Sequence, residues 1–268
     1  MTSAPNARAA RDRHPPPDGG GGGDSGAPAD KPATEARIQH DFYAARARAH
    51  VIEPWGAAEH DFALSMLLGY LDLTRPESAL DVGAGCGRAL KLMRERRPGL
   101  RVQGVEPSAA FREIGHARLG LSSGELLDGD ATRLPFDDDS FDVVTEFGVL
   151  HHIRNPSQAV AEMCRVARRA VFISDCNNYG QGGRAARLAK RALRAAGLWK
   201  AVDRMRTGGK GYTITEGDGL AYSYSVFDDL PIVRRAFDRV VVMNTSGQSI
   251  AHAREAAAVV VIADDRPW

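Results

Sequence analysis

The 268-residue sequence lacks the marks of a disulfide scaffold, a membrane protein or a nucleic-acid-binding protein. Its three cysteines are odd in number and lack metal-site spacing, so neither disulfides nor a zinc cluster are indicated. A formal net charge of +1 gives no overall attraction to nucleic acid. No apolar run approaches the ~18 residues of a membrane span, and no secretory signal is visible near the N-terminus. We therefore expect a cytoplasmic protein.

Composition divides the chain into a tail, a cap and a larger domain. Residues 1–32 are rich in Pro, Gly, Ala and Arg, which predicts a disordered tail. Residues 33–72 have apolar side chains at helical spacing and predict two amphipathic helices that form a cap. Strands and helices alternate over residues 73–268, and this pattern is typical of a parallel sheet with helices on both faces. The loop-rich stretch 177–225 is predicted to be an insertion on the acceptor side.

The predicted strands and helices follow from short apolar runs and the turn residues between them. We expect strands at residues 80–82, 101–106, 126–128, 141–147, 170–175, 239–243 and 257–263, and helices at residues 88–97, 108–118, 156–166 and 226–237.

The most informative motif is the turn that follows the first strand. Gly83, Gly85 and Gly87 alternate with Ala84 and Cys86 before the next helix begins. Glycines let the backbone turn tightly and let a ligand lie against it, while the first N–H groups of the helix point toward that ligand. The motif predicts a nucleoside-cofactor loop. Its spacing differs from the dinucleotide fingerprint, which argues against an NAD-dependent dehydrogenase.

Two acidic residues follow the loop at positions that suit a nucleoside. Glu106 ends the second strand, roughly twenty residues after the glycines, where a carboxylate meets ribose hydroxyls in doubly wound sheets. Asp130 lies in the segment after the third strand and has a carboxylate able to accept a hydrogen bond from an adenine amino group.

Several motifs in this order resemble the class I S-adenosylmethionine-dependent methyltransferases. They are Asp81 to Gly87, Gly104 to Ser108, Gly129 to Ala131, Leu134 to Val144, and Val149 to Ile153. The closest likeness is to the branch with ubiquinone, menaquinone, natural-product and sugar methyltransferases. The resemblance implies a Rossmann-like α/β fold with a seven-stranded sheet in the order 3-2-1-4-5-7-6, the last strand antiparallel. It also implies an enzyme that uses S-adenosylmethionine and methylates a small-molecule acceptor, most plausibly at a hydroxyl in secondary or sugar metabolism.

Site residues can be transferred from the family pattern to matching positions. The resemblance implies that the methionine part of the cofactor contacts Asp81, Gly83, Ala84 and Gly85, and that the ribose contacts Glu106. It also implies that the adenine contacts Pro107, Asp130 and Ala131, and that Phe147 faces the sulfonium region. One departure is Glu146, where this branch often has a small or polar residue. It either turns inward and attracts the sulfonium or turns outward as a surface acid.

The resemblance also suggests residues for the acceptor side. In sugar-methylating members the first histidine of the Leu-His-His segment is the base and an acid at the end of the fifth strand assists it, which here are His151 and Asp175. His152 and Tyr224 are candidates for acceptor contacts. Each histidine could instead have a purely packing role. The segment that contains Tyr224 could instead be a short edge strand without a role in the chemistry. No carboxylate or histidine cluster in the sequence indicates a metal site.

Two other functions remain open at this stage. A basic segment at residues 184–210 suggests an RNA or protein methyltransferase, although its arginines at positions 184, 187, 191 and 194 also suit a solvated helix face. Few aromatic residues are interleaved there, which weakens the nucleic-acid interpretation. The third possibility is a protein that binds the cofactor without catalysis. Similarly, Phe42, Tyr43 and Trp55 of the cap either close over the cofactor or are ordinary core.

Overall fold

Helices and strands alternate from residue 58 onward in the computed structural model of the protein. The structure describes residues 35, 37–39, 41–43, 45, 58–247 and 252–265. The predicted disordered tail and Trp55 lie outside these residues. Those described between positions 35 and 45 are helical. The remaining elements are α1 (Ala58–Thr74), β1 (Ser78–Val82), α2 (Arg88–Arg96), β2 (Arg101–Val105), α3 (Ala109–Leu119), β3 (Leu126–Leu127), β4 (Phe141–Phe147), α4 (Pro156–Val166), β5 (Ala167–Cys176), α5 (Arg184–Ala195), α6 (Trp199–Arg206), β6 (Tyr212–Thr215), β7 (Gly219–Tyr222), α7 (Val226–Ala236), β8 (Arg239–Asn244) and β9 (Ala258–Asp264).

Seven of the strands form one sheet in the order β3-β2-β1-β4-β5-β9-β8. The strands from β3 to β5 are parallel, and β9 is antiparallel to both of its neighbours. This confirms the predicted order, with β8 and β9 as the sixth and seventh strands of the sheet. The additional strands β6 and β7 form a separate hairpin within the insertion. The insertion is therefore a structured wall rather than only a loop.

Apolar residues explain why the sheet is covered on both faces. All five residues of β1 are buried, as expected for a central parallel strand. Side chains of α4 and α7 pack on one face, with Val160 and Leu230 in that cluster. Those of α1 and α2 pack on the other, with Leu64 and Leu90. None of the described helices is long and apolar enough to cross a membrane.

The topology determines where a ligand can bind. The carboxyl ends of β1, β4 and β5 meet at one edge of the sheet because these strands are parallel neighbours. Ligands of open α/β sheets bind at this edge, where the loops leave the strands. The glycine turn, the two histidines and Asp175 all follow or end these strands.

Candidate active site

The glycine turn has a backbone that only glycine adopts easily. Gly83, Gly85 and Gly87 have φ angles of 69°, 56° and 85°, in the left-handed region. The N–H of Gly83 donates to the carbonyl of Val105 at 2.9 Å, which fastens the turn to β2. A Cβ atom on Gly83 would lie 2.5 Å from Cγ1 of Val149. Both the backbone angle and the space therefore require glycine at this position.

Glu106 is buried and held by the backbone beside that turn. Its Oε2 accepts from the N–H of Gly85 at 2.9 Å, and its Oε1 accepts from the N–H of Ser108 at 2.8 Å. Burial raises the pKa of this carboxyl, and the two hydrogen bonds oppose that shift. Asp130 is exposed, and its Oδ1 accepts from the N–H of Thr132 at 2.8 Å. Both acids are thus oriented before any ligand binds.

These residues line a cavity of about 850 Å³. The predicted cofactor residues in its wall are Gly83, Gly85, Glu106, Pro107, Asp130, Ala131 and Phe147. Asp81 and Ala84 are not among the lining residues. Asp81 is buried and accepts from the hydroxyl of Thr145 at 2.8 Å. Ala84 packs against Gly104, where an added Cβ would lie 2.7 Å from that of Ala84.

A second cavity of about 870 Å³ adjoins the first. Both are lined by Tyr43, Phe147, Gly148, His152 and Tyr222. The second cavity extends between the carboxyl ends of β4 and β5 and the hairpin β6–β7. It is lined by polar and titratable side chains of which His151 is one. A ligand in the first cavity and a ligand in the second would therefore meet near Phe147 and His152.

His151 lines this second cavity and forms a close pair with the buried Asp175. Nδ1 of His151 lies 2.6 Å from Oδ1 of Asp175, and the Asp175 side chain is fully buried. Oδ2 of Asp175 also accepts from the N–H of Leu150 at 2.8 Å. Burial alone would lower the pKa of His151, but the charge of Asp175 and its hydrogen bond raise it well above the usual value. The structure therefore brings together the two residues predicted for catalysis.

The two predicted acceptor contacts differ in their availability. His152 lines both cavities, and its Nδ1 lies 2.7 Å from the carbonyl oxygen of Leu220. Tyr224 lines the second cavity, yet it is 4% exposed and its hydroxyl donates to Oδ2 of Asp229 at 2.9 Å. Only the body of the Tyr224 side chain is available to an acceptor, because the hydroxyl is used within the core.

The fold adds residues that sequence reasoning did not single out. Asp218 follows β6 in the hairpin loop, and its carboxylate oxygens lie 3.4 Å from Nε2 of His151 and 3.5 Å from Nε2 of His152. His60 of α1 lines the same cavity, and its Nδ1 lies 3.0 Å from the hydroxyl oxygen of Ser174. The only signal for Asp218 in the sequence is an acid between two glycines in a long loop.

Comparison with known proteins agrees with this geometry. Residues 80–173 match the family described as a methyltransferase domain. This part of the chain is similar to methyltransferase domains. It contains the glycine turn, Glu106 and Asp130 beside the first cavity, and His151 and His152. The family match and the two cavities therefore concern the same residues.

Relatives in sequence share the methyltransferase domain but not the whole chain. A demethylmenaquinone methyltransferase of Thermotoga maritima is 34% identical over 94 residues, which are 35% of this chain and 40% of that protein. Methyltransferase GfsG of Streptomyces halstedii is 33% identical over 102 residues, 37% of this chain and 36% of that protein. The chain thus spans well under half the length of these relatives.

Solved structures show the same fold over most of the chain. Magnesium protoporphyrin IX methyltransferase of Synechocystis, solved with bound S-adenosylhomocysteine (SAH), has a TM-score of 0.54 and 16% identity, covering 88% of this chain and all of that one. A Thermotoga maritima methyltransferase, described as a possible histamine N-methyltransferase, has a TM-score of 0.51 and 19% identity, covering 86% and 99%.

Glu146 of β4 turns inward. Its side chain is fully buried, Oε2 accepts from the N–H of Val149 at 3.1 Å, and within the described part of the chain Oε1 has no hydrogen-bond partner. Burial and then the charge of Asp175 raise its pKa well above the usual value. Of the two alternatives that the sequence left open, the structure shows the inward one.

The basic helix is largely engaged with the domain itself. Arg191 bonds Oε1 of Glu255 at 2.9 Å, and Arg194 forms an ion pair with Asp228. Lys190 points the other way and lines the second cavity, where its Nζ donates to the carbonyl of Asn178 at 2.9 Å. Two of the four arginines predicted to share one helix face thus have acidic partners within the chain. This agrees with a solvated face.

Proposed function

We propose that this chain transfers the methyl group of S-adenosylmethionine to a hydroxyl of a small-molecule acceptor in secondary or sugar metabolism. The observation that carries the proposal is the His151–Asp175 pair, in which His151 lines the second cavity beside residues shared with the first, cofactor-binding cavity and Asp175 is buried behind it. A base is needed at this place because an acceptor hydroxyl must lose its proton during methyl transfer.

The cofactor cavity fits an adenosyl ligand. Gly83 and Gly85 of the left-handed turn line the cavity without Cβ atoms, Glu106 suits the two ribose hydroxyls, and Asp130 with Ala131 suits the adenine edge. When bound, S-adenosylmethionine supplies an electrophilic methyl group. Phe147 lines both cavities and is therefore placed to border the reacting groups.

His151 would act through Nε2, since its Nδ1 is held by Asp175. Asp175 orients the ring and stabilises the imidazolium that forms when Nε2 takes the acceptor proton. Such a base contributes about 10²–10⁴-fold to the rate. Alignment of the two reactants by the adjoining cavities contributes more, up to about 7–11 kcal/mol. His152 and the ring of Tyr224 would border the acceptor.

Calorimetry with SAH tests the cofactor half of the proposal. We expect SAH to bind the purified chain and NAD not to bind. The Glu106→Gln variant should bind SAH more weakly, while Asp137→Asn, which changes an exposed acid that lines neither cavity, should bind as the wild type does. Absence of heat with SAH would refute the proposal.

Labelled methyl transfer tests the acceptor half. The chain should transfer label from S-adenosylmethionine into a small-molecule extract and not into total RNA or protein. Label in RNA or protein alone would support docking through residues 184–210 and contradict the small-molecule acceptor. Binding of SAH with no transfer into any fraction would indicate a catalytically silent binding protein.

A further inference from the structure

Three potential metal ligands meet at the loop of the hairpin β6–β7. The ligand atoms of His151, His152 and Asp218 all lie within 4.8 Å of one another. The two imidazole rings are 3.9 Å apart between centroids, and both Nε2 atoms face the Asp218 carboxylate at 3.4 and 3.5 Å. Positions 151 and 218 are far apart in the chain, so no ligand spacing in the sequence reveals this group.

Hydrogen bonds on the far side of each ring determine which nitrogen faces Asp218 without a proton. Nδ1 of His152 lies 2.7 Å from the carbonyl oxygen of Leu220, which can only accept, so this nitrogen is the donor. Nδ1 of His151 donates in the same way to the Asp175 carboxylate. In the neutral rings both Nε2 atoms therefore carry lone pairs, and both lone pairs face carboxylate oxygens.

Three acceptors that converge in this way need a positive charge between them. A proton on Nε2 of His151 alone would leave the lone pair of His152 facing the carboxylate, and protons on both Nε2 atoms would create two imidazolium ions with ring centroids 3.9 Å apart, which repel each other. A single divalent cation uses all three lone pairs and leaves both rings neutral. Because Asp218 contributes one negative charge, the cation is also partly neutralised.

The distances agree with a tetrahedral site. Zn²⁺ binds imidazole nitrogen and carboxylate oxygen at about 2.0–2.1 Å, so neighbouring ligands of a tetrahedron are about 3.3–3.4 Å apart. The two nitrogen–oxygen distances here are close to this value, at 3.4 Å from Nε2 of His151 to Oδ2 of Asp218 and 3.5 Å from Nε2 of His152 to Oδ1 of the same carboxylate. Two imidazoles and one carboxylate suit a transition-metal ion rather than Mg²⁺ or Ca²⁺, which prefer oxygen ligands.

The surroundings also suit a metal site. Metal-binding histidines usually donate their other N–H to a carboxylate or a backbone carbonyl, as His151 and His152 do here. The Asp218 side chain is 55% exposed and all three residues line the second cavity, so an ion has a path of entry. With three protein ligands, a fourth position stays open toward the cavity.

We propose that His151, His152 and Asp218 bind a divalent cation of the Zn²⁺ type, with an open position on the acceptor cavity. Binding itself needs nothing from the proposed function. Its effect on turnover does rest on that function: an ion on Nε2 of His151 takes the lone pair that a base requires. Zn²⁺ is therefore expected to inhibit methyl transfer reversibly, and a chelator to restore it.

Titration of the chelator-treated full chain tests the site without an assay of activity. Calorimetry with Zn²⁺ should show one ion per chain, and Co²⁺ should give the visible absorption of a tetrahedral complex. Asp218→Asn and His152→Ala should each weaken Zn²⁺ binding at least ~10-fold, because each removes a ligand. Asp137→Asn and His116→Ala are matched controls outside both cavities and should bind Zn²⁺ as the wild type does.

The outcomes separate this site from the proposed function. SAH binding by every variant shows that the fold is intact. Absence of Zn²⁺ binding by the wild type, or equal affinity in the Asp218 and His152 variants, would overturn the metal site and leave methyl transfer untouched. Zn²⁺ binding that depends on both residues, in a chain that transfers no methyl group when metal-free, would support the site while the proposed function fails.

Discussion

The two adjoining cavities are similar in size but built in different ways. The cofactor cavity includes the left-handed glycine turn after β1 and the loops that follow β2, β3 and β4, and its other residues extend from Glu35 to Tyr222. The acceptor cavity, which is the second cavity described above, is lined by residues as distant in the chain as Glu59 and Ala258. A backbone cradle constrains a ligand that stays the same, whereas a wall of side chains on loops can change with the substrate.

The two cavities differ in chemistry as well. Beside the cofactor cavity, buried acids such as Asp81 and Glu106 are held by short hydrogen bonds. The acceptor cavity is lined by three histidines, His60, His151 and His152, together with Asp218 and Lys190. Groups that exchange protons or bind cations are thus concentrated on the acceptor side. Changes there should alter turnover, and changes in the backbone turn should alter cofactor binding.

Removing the imidazole of His151 should have the largest effect. In the metal-free enzyme, His151→Ala should lower kcat by about 10²–10⁴-fold, because the acceptor hydroxyl loses its base. SAH affinity should stay within about twofold of the wild type, since His151 lines only the acceptor cavity. Single-turnover kinetics with labelled S-adenosylmethionine and calorimetry with SAH measure the two quantities.

His116→Ala, on α3 and outside both cavities, is the control for loss of an imidazole. If His151→Ala weakens SAH binding and leaves kcat unchanged, His151 contributes to cofactor binding rather than to turnover, which would contradict the roles assigned to the two cavities.

Substitutions in the glycine turn should act on the cofactor side alone. In Gly83→Ala, the added Cβ would lie 2.5 Å from Val149 and the φ angle of 69° is unfavourable. Together, crowding and left-handed strain should cost about 2–5 kcal/mol, or roughly 30-fold or more in SAH affinity. Gly85→Ala is the matched control, because its φ of 56° is also left-handed but nothing lies within 4 Å of the new Cβ.

Gly85→Ala should therefore weaken SAH binding by only about 1–2 kcal/mol. Equal losses in the two variants, measured by calorimetry, would show that strain rather than space limits this turn.

The buried carboxyl of Asp81 should produce a smaller, pH-dependent effect on stability. Burial raises the pKa of Asp81 from 3.8 to about 7. The folded state therefore keeps a proton that the unfolded state releases, and stability falls as the pH rises from about 4 to about 7. The slope from this group is about 1.4 kcal/mol per pH unit, and it levels off above the folded pKa.

Asp81→Asn keeps a group that can hydrogen-bond to Thr145 but does not titrate. Urea unfolding at several pH values should show the wild type losing stability relative to this variant across that window. Parallel curves for the two proteins would mean that the pKa of Asp81 is not raised.

Much of the fold and of the cofactor side could be predicted because the signals are local. Alternating apolar runs and turns predicted the strands, the resemblance to the methyltransferase family implied their order, and three closely spaced glycines marked the turn that the structure places after β1. Asp81 was expected in the cofactor wall, but it is buried and bonds Thr145, since it lies within a central strand. Local sequence identified the strand end but not which side chains reach the cavity.

The acceptor side was harder to predict because its partners are distant in the chain. Asp218 meets both histidines only because the hairpin folds back over the carboxyl ends of β4 and β5. The hydroxyl of Tyr224 bonds to Asp229, which is close in the chain, but the sequence does not show that this side chain is buried. The side chains of Tyr222 and Glu35 meet although they are 187 positions apart in the chain.

The sequence by itself determined the sheet, the glycine turn and the acid at position 106, because backbone conformation and strand burial are specified by neighbouring residues. Tertiary structure alone decided that Asp218 faces His151 and His152, and that Glu146 turns inward. Those contacts join side chains from separate elements, and their distances follow from packing of the whole domain rather than from spacing along the chain.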